Sequence, residues 1–363
     1  MPAGDPAPGD DVTPTFDIAA LLPGLGVFGG VRRFLELGNE LVRRGHRYVL
    51  YHPEGEPPDW LLFRGETRPL AALTGARHQV LLCGEPSLLQ AFRGARADLK
   101  LFYCVLEKMQ HEGTIARSRE WTLLANSTGI HRRLRRKYGV HAADAIGGIN
   151  LGVFHPPAQP RQRGLGDPLR ILAYGRVSRR RKGVPIVVRA AEMLSLRLSR
   201  RWPAWGGSVA HPVTLVLFDH VGPGNEGDPR QHLRARIPCE FHLNLKQELL
   251  ADLYATCDVF VSAERRAGWN NTVAEAMACG VPVVCTSSGT IDLARHLETA
   301  CVVRWRHAFF FARALAGMSA DAALRARLRG AALAHVAAYA WPRVADRFEA
   351  IVRQKLGIAS PEA

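Results

Sequence analysis

Apolar positions along this chain fall into short runs of strand length that alternate with segments repeating at helical spacing. Phe16–Leu22 is the first run, and it ends in a glycine loop, Pro23–Gly30. Val31–Arg43 then sets Val31, Phe34, Leu35, Leu41 and Val42 on one helical stripe, with Gly45 at the stop. Tyr48–Tyr51, Val80–Cys83, Leu101–Leu106 and Thr122–Ala125 are the next predicted strands, with helical candidates between them. The pattern breaks over His155–Asp167, where proline and glycine crowd and apolar periodicity disappears. It then restarts: strand Arg170–Tyr174, helix Val184–Leu196, strand Val213–Phe218, helix Gln247–Thr256, strand Val259–Ser262. A helix near Thr272, a strand Val281–Cys285 and helical segments from about His307 to Gln354 complete it. A βαβα rhythm of this kind predicts parallel sheets covered by helices.

Two such stretches separated by linker chemistry predict two doubly wound α/β domains, residues 16–160 and 168–340. The length of 363 residues agrees, since single cores rarely exceed roughly 250 residues. Ligands of doubly wound sheets bind beyond the carboxyl ends of the strands, so two domains facing each other make a cleft. Residues 1–15 are rich in proline, glycine and aspartate and read as a disordered tail.

Composition is that of a soluble globular protein, but the net charge of +15 is not ordinary. It comes mainly from arginine, as in Arg132, Arg133, Arg135, Arg136 and the run Arg179 to Lys182. Such a balance attracts nucleotide phosphates, nucleic acid or an acidic membrane face. Nucleic-acid binding is disfavoured, because the basic runs lack interleaved aromatics and carry no helix-turn-helix or RNP-type signature. Seven cysteines without C-x-x-C spacing give neither a disulfide framework nor a zinc pattern. With no basic, apolar leader and only strand-sized apolar runs, a cytoplasmic protein is expected.

Three features carry chemistry. Gly24, Gly26, Gly29 and Gly30 follow a strand and open a helix, where backbone can approach an anion closely; a plain strand-to-helix turn reads the same way. Gly175-Arg176 and Arg181-Lys182-Gly183 place fixed cations after the first strand of the second domain, as a diphosphate requires. The most specific stretch runs from Ala267 through Gly268, Trp269, Asn270, Asn271, Thr272 and Glu275 to Gly280 and Val281–Val284. There a carboxylate on the first turn of a helix is placed for ribose hydroxyls, and the amides near Asn271 and Thr272 for phosphate.

This last stretch resembles the donor-site motif of family 4 glycosyltransferases, which have the GT-B fold: two Rossmann-like domains facing a central cleft. Gly29-Gly30, Asn126-Ser127-Thr128, Gly147-Gly148-Ile149-Asn150, Phe154-His155-Pro156, Gly175-Arg176 and Lys182-Gly183 resemble further family motifs in the family's order. Trp341–Phe348 resembles its closing helix, so residues 341–363 are expected to cross back to the first domain. The resemblance implies a retaining transfer from a nucleotide-diphosphate sugar, without an obligatory metal, to a glycan, glycolipid or small-molecule acceptor. It implies that Arg176 and Lys182 hold the diphosphate, that Glu275 binds ribose, and that Gly29, Gly30, Gly175, Asn271 and Thr272 complete the donor site.

The chain departs from the family pattern in three places. Ala267 stands where the family has the first glutamate of an E-x7-E pair, and Glu264 is the candidate substitute; its other reading is a surface charge beside Arg265 and Arg266. Leu106 and Glu107 stand where a first-domain histidine is usual, which makes Glu107 a candidate catalytic carboxylate, and Asn150 stands where an aspartate is usual. Ala267 also keeps open a non-catalytic GT-B scaffold or regulatory protein that binds a nucleotide sugar. Finally, Ile130–Tyr138 reads as a basic amphipathic helix with Ile130, Leu134 and Tyr138 on one side. Such a helix can rest on the anionic inner face of a membrane; a solvated helix on an arginine-rich protein is the other reading.

Overall fold

The computed structural model describes residues 15–359, except 107, 160, 162, 165, 202–211 and 223–226. The tail expected over residues 1–15 therefore lies almost wholly outside the described residues.

The first sheet is built from β1 (Asp17–Leu21), β2 (Arg47–His52), β3 (Glu66–Pro69), β4 (Arg77–Cys83), β5 (Arg96–Cys104), β6 (Thr122–Ala125) and β7 (Ala143–Asp144), in the order β3-β2-β1-β4-β5-β6-β7. The second contains β8 (Leu169–Tyr174), β9 (Val213–Asp219), β10 (Cys239–Leu243), β11 (Val259–Ser262), β12 (Val283–Cys285) and β13 (Cys301–Val302), in the order β10-β9-β8-β11-β12-β13. All strand pairs are parallel. Ile18, Ala19, Ala20 and Leu21 of β1 are all fully buried, because helices cover both faces of the sheet. Strand order reverses between β1 and β4 and again between β8 and β11, which makes two topological switch points.

The helices are α1 (Gly29–Arg43), α2 (Leu89–Gly94), α3 (Glu112–Arg117), α4 (Thr128–Tyr138), α5 (Val184–Arg201), α6 (Gln247–Ala255), α7 (Asn271–Ala278), α8 (Ala308–Ala320), α9 (Ala322–Val336) and α10 (Trp341–Leu356). Helix α10 returns to the first domain. Its Trp341, Val344, Phe348 and Val352 share a core with Phe16, Phe34, Leu41 and Tyr48. The outgoing and returning chains touch where Gly148 N–H donates to the Tyr339 carbonyl at 2.8 Å and Trp341 N–H to the Ile149 carbonyl at 3.2 Å. Gly148 has φ +118°, and a Cβ there would lie 2.7 Å from the Trp341 ring, so this crossing point admits only glycine.

Several boundaries differ from the sequence expectation. β5 ends at Cys104 rather than Leu106: the Val105 carbonyl abuts Gly268 of the second domain, and Leu106 is 38% exposed. Helix α1 starts at Gly29 rather than Val31. Strands β3, β7, β10 and β13 were not visible in the pattern; each is short, and none of their residues is fully buried.

Candidate functional site

The strand ends at the second switch point converge on one aromatic ring. Tyr174 closes β8, and both Arg176 and Lys182 lie over its ring, the guanidinium carbon at 5.4 Å and Nζ at 5.1 Å from the centroid. Arg176 is 7% exposed, and its Nε and Nη2 donate to Asp219 Oδ1 at 3.0 and 2.9 Å. Its Nη2 also donates to the His220 carbonyl at 3.1 Å. Asp219 is there because it ends β9, beside β8. Lys182 follows on a short helical turn and donates from Nζ to Glu264 Oε2 at 2.7 Å. Burial lowers the Lys182 pKa, opposed by the neighbouring Glu264 carboxylate, while Arg181 and Arg176 add to the lowering. Gly175 is set by packing: its N–H donates to the Phe218 carbonyl at 2.7 Å, and a Cβ would meet the Phe241 ring at 2.6 Å.

Glu264 is 4% exposed and follows β11. It is a buried ion-pair partner of Lys182, so the surface-charge reading does not hold. Ala267 N–H donates to Ser288 Oγ at 2.9 Å, and the Gly289 backbone packs on the Ala267 methyl. Glu107 lies outside the described residues.

Helix α7 is capped by Asn270, whose Oδ1 accepts from Val273 N–H at 3.4 Å and from the Thr272 hydroxyl at 3.0 Å. The amides of Asn271 and Thr272 fall in the helix's first turn, where no intrahelical acceptor exists. Asn271 also meets the first domain: a Cβ on Gly29 would fall 2.6 Å from Asn271 Nδ2, so the glycine loop and α7 touch only because residue 29 has no side chain. The nearest atom to a Cβ on Gly30 is a Val105 methyl at 3.9 Å.

The structure corrects the position of Glu275. It is the fifth residue of α7, in the second turn, and is 2% exposed. Arg32 of α1 donates from Nη1 to Glu275 Oε1, and the Tyr254 hydroxyl donates to Oε2 at 3.0 Å. Both carboxylate oxygens thus have protein partners, one of them from the opposite domain. Burial works against the charge on Arg32, but Glu275 and then Glu36 outweigh it, and its pKa rises. Glu36 is pushed up by burial, opposed by Arg32 and by Asn150, whose Nδ2 donates to it at 3.1 Å.

The basic helix α4 is not free to bury its apolar side in a membrane. Ile130 and Leu134 are 2% and 1% exposed, in the core of the first domain. Arg133, Lys137 and the Tyr138 hydroxyl all donate to Glu112, at 2.7, 3.1 and 2.8 Å. Arg133 first of all holds the Glu112 carboxyl at a pKa of about 2.

Four residues that sequence reasoning missed, Arg32, Glu36, Asp219 and Tyr254, complete these pairs. Asp219 carried a usable signal, a carboxylate directly after an apolar strand.

The family described as glycosyl transferases group 1 has a model that matches residues 168–321, the segment holding Arg176, Lys182, Glu264 and Glu275. The second domain is a group 1 glycosyltransferase domain. Among curated relatives, the D-inositol 3-phosphate glycosyltransferase 1 of Catenulispora acidiphila is 29% identical over 261 residues, covering 64% of this chain and 57% of that protein. The lipopolysaccharide core biosynthesis mannosyltransferase LpsB of Rhizobium meliloti is 33% identical over 151 residues, 40% of each chain. The chain thus spans a little over half the length of the first relative. Two solved structures extend the likeness to both domains: sucrose-phosphate synthase from Thermosynechococcus elongatus, and Anabaena HepE in complex with UDP and glucose. Their TM-scores are 0.70 and 0.71, at 18% and 14% identity. They cover 94% and 93% of this chain, and 99% and 100% of theirs. At that identity the likeness shows the fold, which is GT-B.

Proposed function

We propose that the chain transfers a sugar, with retention at the anomeric carbon, from a nucleotide-diphosphate sugar to a glycan, glycolipid or small-molecule hydroxyl. The observation that carries this reading is the pair of cations on Tyr174, Arg176 and Lys182, at the switch point of a group 1 domain. Each cation is held by its own carboxylate, Asp219 or Glu264, so both are positioned before a ligand arrives. Charge that develops on a departing diphosphate meets fixed donors there without reorganisation. In the step itself the bond from the anomeric carbon to the diphosphate breaks and the acceptor oxygen bonds on the same face. The acceptor proton passes to the departing phosphate oxygen. Gly29 and Gly30 approach the phosphates from the first domain, and the amides of Asn271 and Thr272 from α7.

Glu275 takes the ribose only if a partner yields. In this reading the donor's ribose hydroxyls replace Arg32 on Oε1, while Tyr254 keeps Oε2. The binding of UDP by HepE supports a nucleoside diphosphate as the ligand class. A thermal-shift screen of UDP-, GDP-, ADP- and dTDP-sugars tests the reading. A ligand at a hundred times its Kd adds about 2.7 kcal/mol of stability, and no shift with any of them contradicts it. A non-catalytic scaffold is the second reading, favoured by Ala267. It predicts donor binding without release of the nucleotide in the presence of any acceptor.

A further inference from the structure

The loops at the carboxyl ends of β8, β11 and β13 lie on one edge of the second sheet, and one arginine ties them together. Arg306 Nε donates to the Ala263 carbonyl at 2.6 Å, and its Nη2 to the Arg180 and Arg181 carbonyls at 3.0 and 3.3 Å. Arg265 N–H donates to the Arg181 carbonyl at 2.9 Å. Beside Arg306, Trp305 is 56% exposed and Phe309, in the first turn of α8, is 50% exposed. Phe310 joins them, its ring centroid 4.9 Å from Trp305 and 5.4 Å from Phe309. Arg304 lies over the Trp305 ring at 5.1 Å.

The charge around these rings is of one sign. No acidic residue occurs from Thr299 to Ala320 or from Arg176 to Ala191. Arg180, Arg181, Arg265 and Arg304 are exposed and have no carboxylate partner among the described residues. Glu264, which bears on Arg306, is engaged by Lys182. Arg313 stands one helical turn beyond Phe309 on the same side of α8. Exposed tryptophan and phenylalanine ringed by unneutralised arginine match an anionic lipid surface. Aromatic rings settle at headgroup depth, and each basic side chain near the surface adds to the attraction.

We propose that this edge, Trp305 and Phe309 with Arg180, Arg181, Arg265 and Arg304, docks the protein peripherally on an anionic bilayer. The inference rests on the proposed function only in that docking here brings the mouth of the donor site to the lipid. Unlike α4, whose apolar side is consumed by the core, this face offers both the rings and the charge.

The test is sedimentation of the full chain with phosphatidylcholine vesicles, with and without phosphatidylglycerol, at low and high salt and in the absence of any nucleotide sugar. Omitting the donor keeps failure of docking distinct from failure of the transfer reading. The wild type is expected to pellet only with the anionic vesicles at low salt. Trp305→Ser with Phe309→Ser, and separately Arg304→Gln with Arg265→Gln, should each lower the bound fraction about tenfold or more. Unchanged melting temperatures show that the variants are folded. Changing Arg132, Arg135 and Arg136 of α4 to glutamine should leave most of the binding intact. Wild type remaining in the supernatant, or the aromatic variant pelleting as wild type does, overturns the proposal. So does a dimer in solution that the aromatic variant dissolves, since a second copy then covers the face.

Discussion

Arg32 of the first domain and Glu275 of the second share a hydrogen-bonded ion pair although 243 positions separate them in sequence. The carboxylate is buried and the guanidinium mostly so, with 2% and 18% of their side-chain surfaces exposed. Removing one partner strands the other. Arg32→Ala is therefore expected to lower the unfolding free energy by about 3 kcal/mol. The double variant with Glu275→Ala should lose less than the sum of the singles, by more than about 1 kcal/mol. Urea unfolding of the four proteins measures this; additive losses would show that the two residues do not act as a pair.

Arg176 has two roles, which gives its replacement two consequences. A polar residue at a strand end need not touch the core. The structure instead buries Arg176 against Asp219. The alanine variant should lose about 3 kcal/mol of stability as well as activity. Arg176→Ala with Asp219→Asn should recover much of that stability but not turnover. Melting curves beside initial rates separate the two effects, and recovery of both would assign Arg176 to structure alone.

Glu264→Gln should lower turnover severely, because it weakens the hold on Lys182 Nζ. Restoring the family residue by Ala267→Glu should not raise the rate. The Ser288–Gly289 turn already packs on Ala267, and Glu264 already supplies a carboxylate to the loop. Initial-rate measurements with a donor found by screening decide it; a faster Ala267→Glu enzyme would mean that this loop lacks something Glu264 does not provide.

Glu112 makes stability depend on acid. Its folded pKa of about 2, set first by the hydrogen bond from Arg133, lies below the usual carboxylate range. The folded state therefore binds its proton less readily than the unfolded chain does. Its contribution is complete at neutral pH, shrinks as pH falls below about 4.5 and is gone below about 2. Glu112→Gln should be less stable at pH 7 and show a flatter loss between those values. Equal slopes in denaturant titrations across that range would remove Glu112 from the account.

The alternation of apolar runs made the two sheets legible, because strands buried on both faces must be continuously apolar. Arg176 was legible for a related reason: Gly175-Arg176 ends an apolar run where a strand must end. The partners of Glu275 were hidden. Tyr254 and Arg32 each look like an ordinary charged or polar position, and pairing across 21 or 243 residues leaves no mark at short range. Helix α4 misled in the opposite direction. Its amphipathic pattern is real, but Ile130 and Leu134 face the core of their own domain, and pattern alone does not tell a core from a bilayer.

The proposed transfer requires a nucleoside diphosphate to lie against Arg176 and Lys182. Calorimetric titration of UDP, GDP, ADP and dTDP into wild type and Lys182→Ala tests it directly, at a temperature where both proteins are folded, because loss of Lys182 leaves the buried Glu264 carboxylate without its partner and lowers stability. At least one of the four is predicted to bind the wild type, and to bind the folded Lys182→Ala protein about a hundredfold more weakly. Binding of equal strength to both proteins, or of none of the four to the wild type, would contradict it.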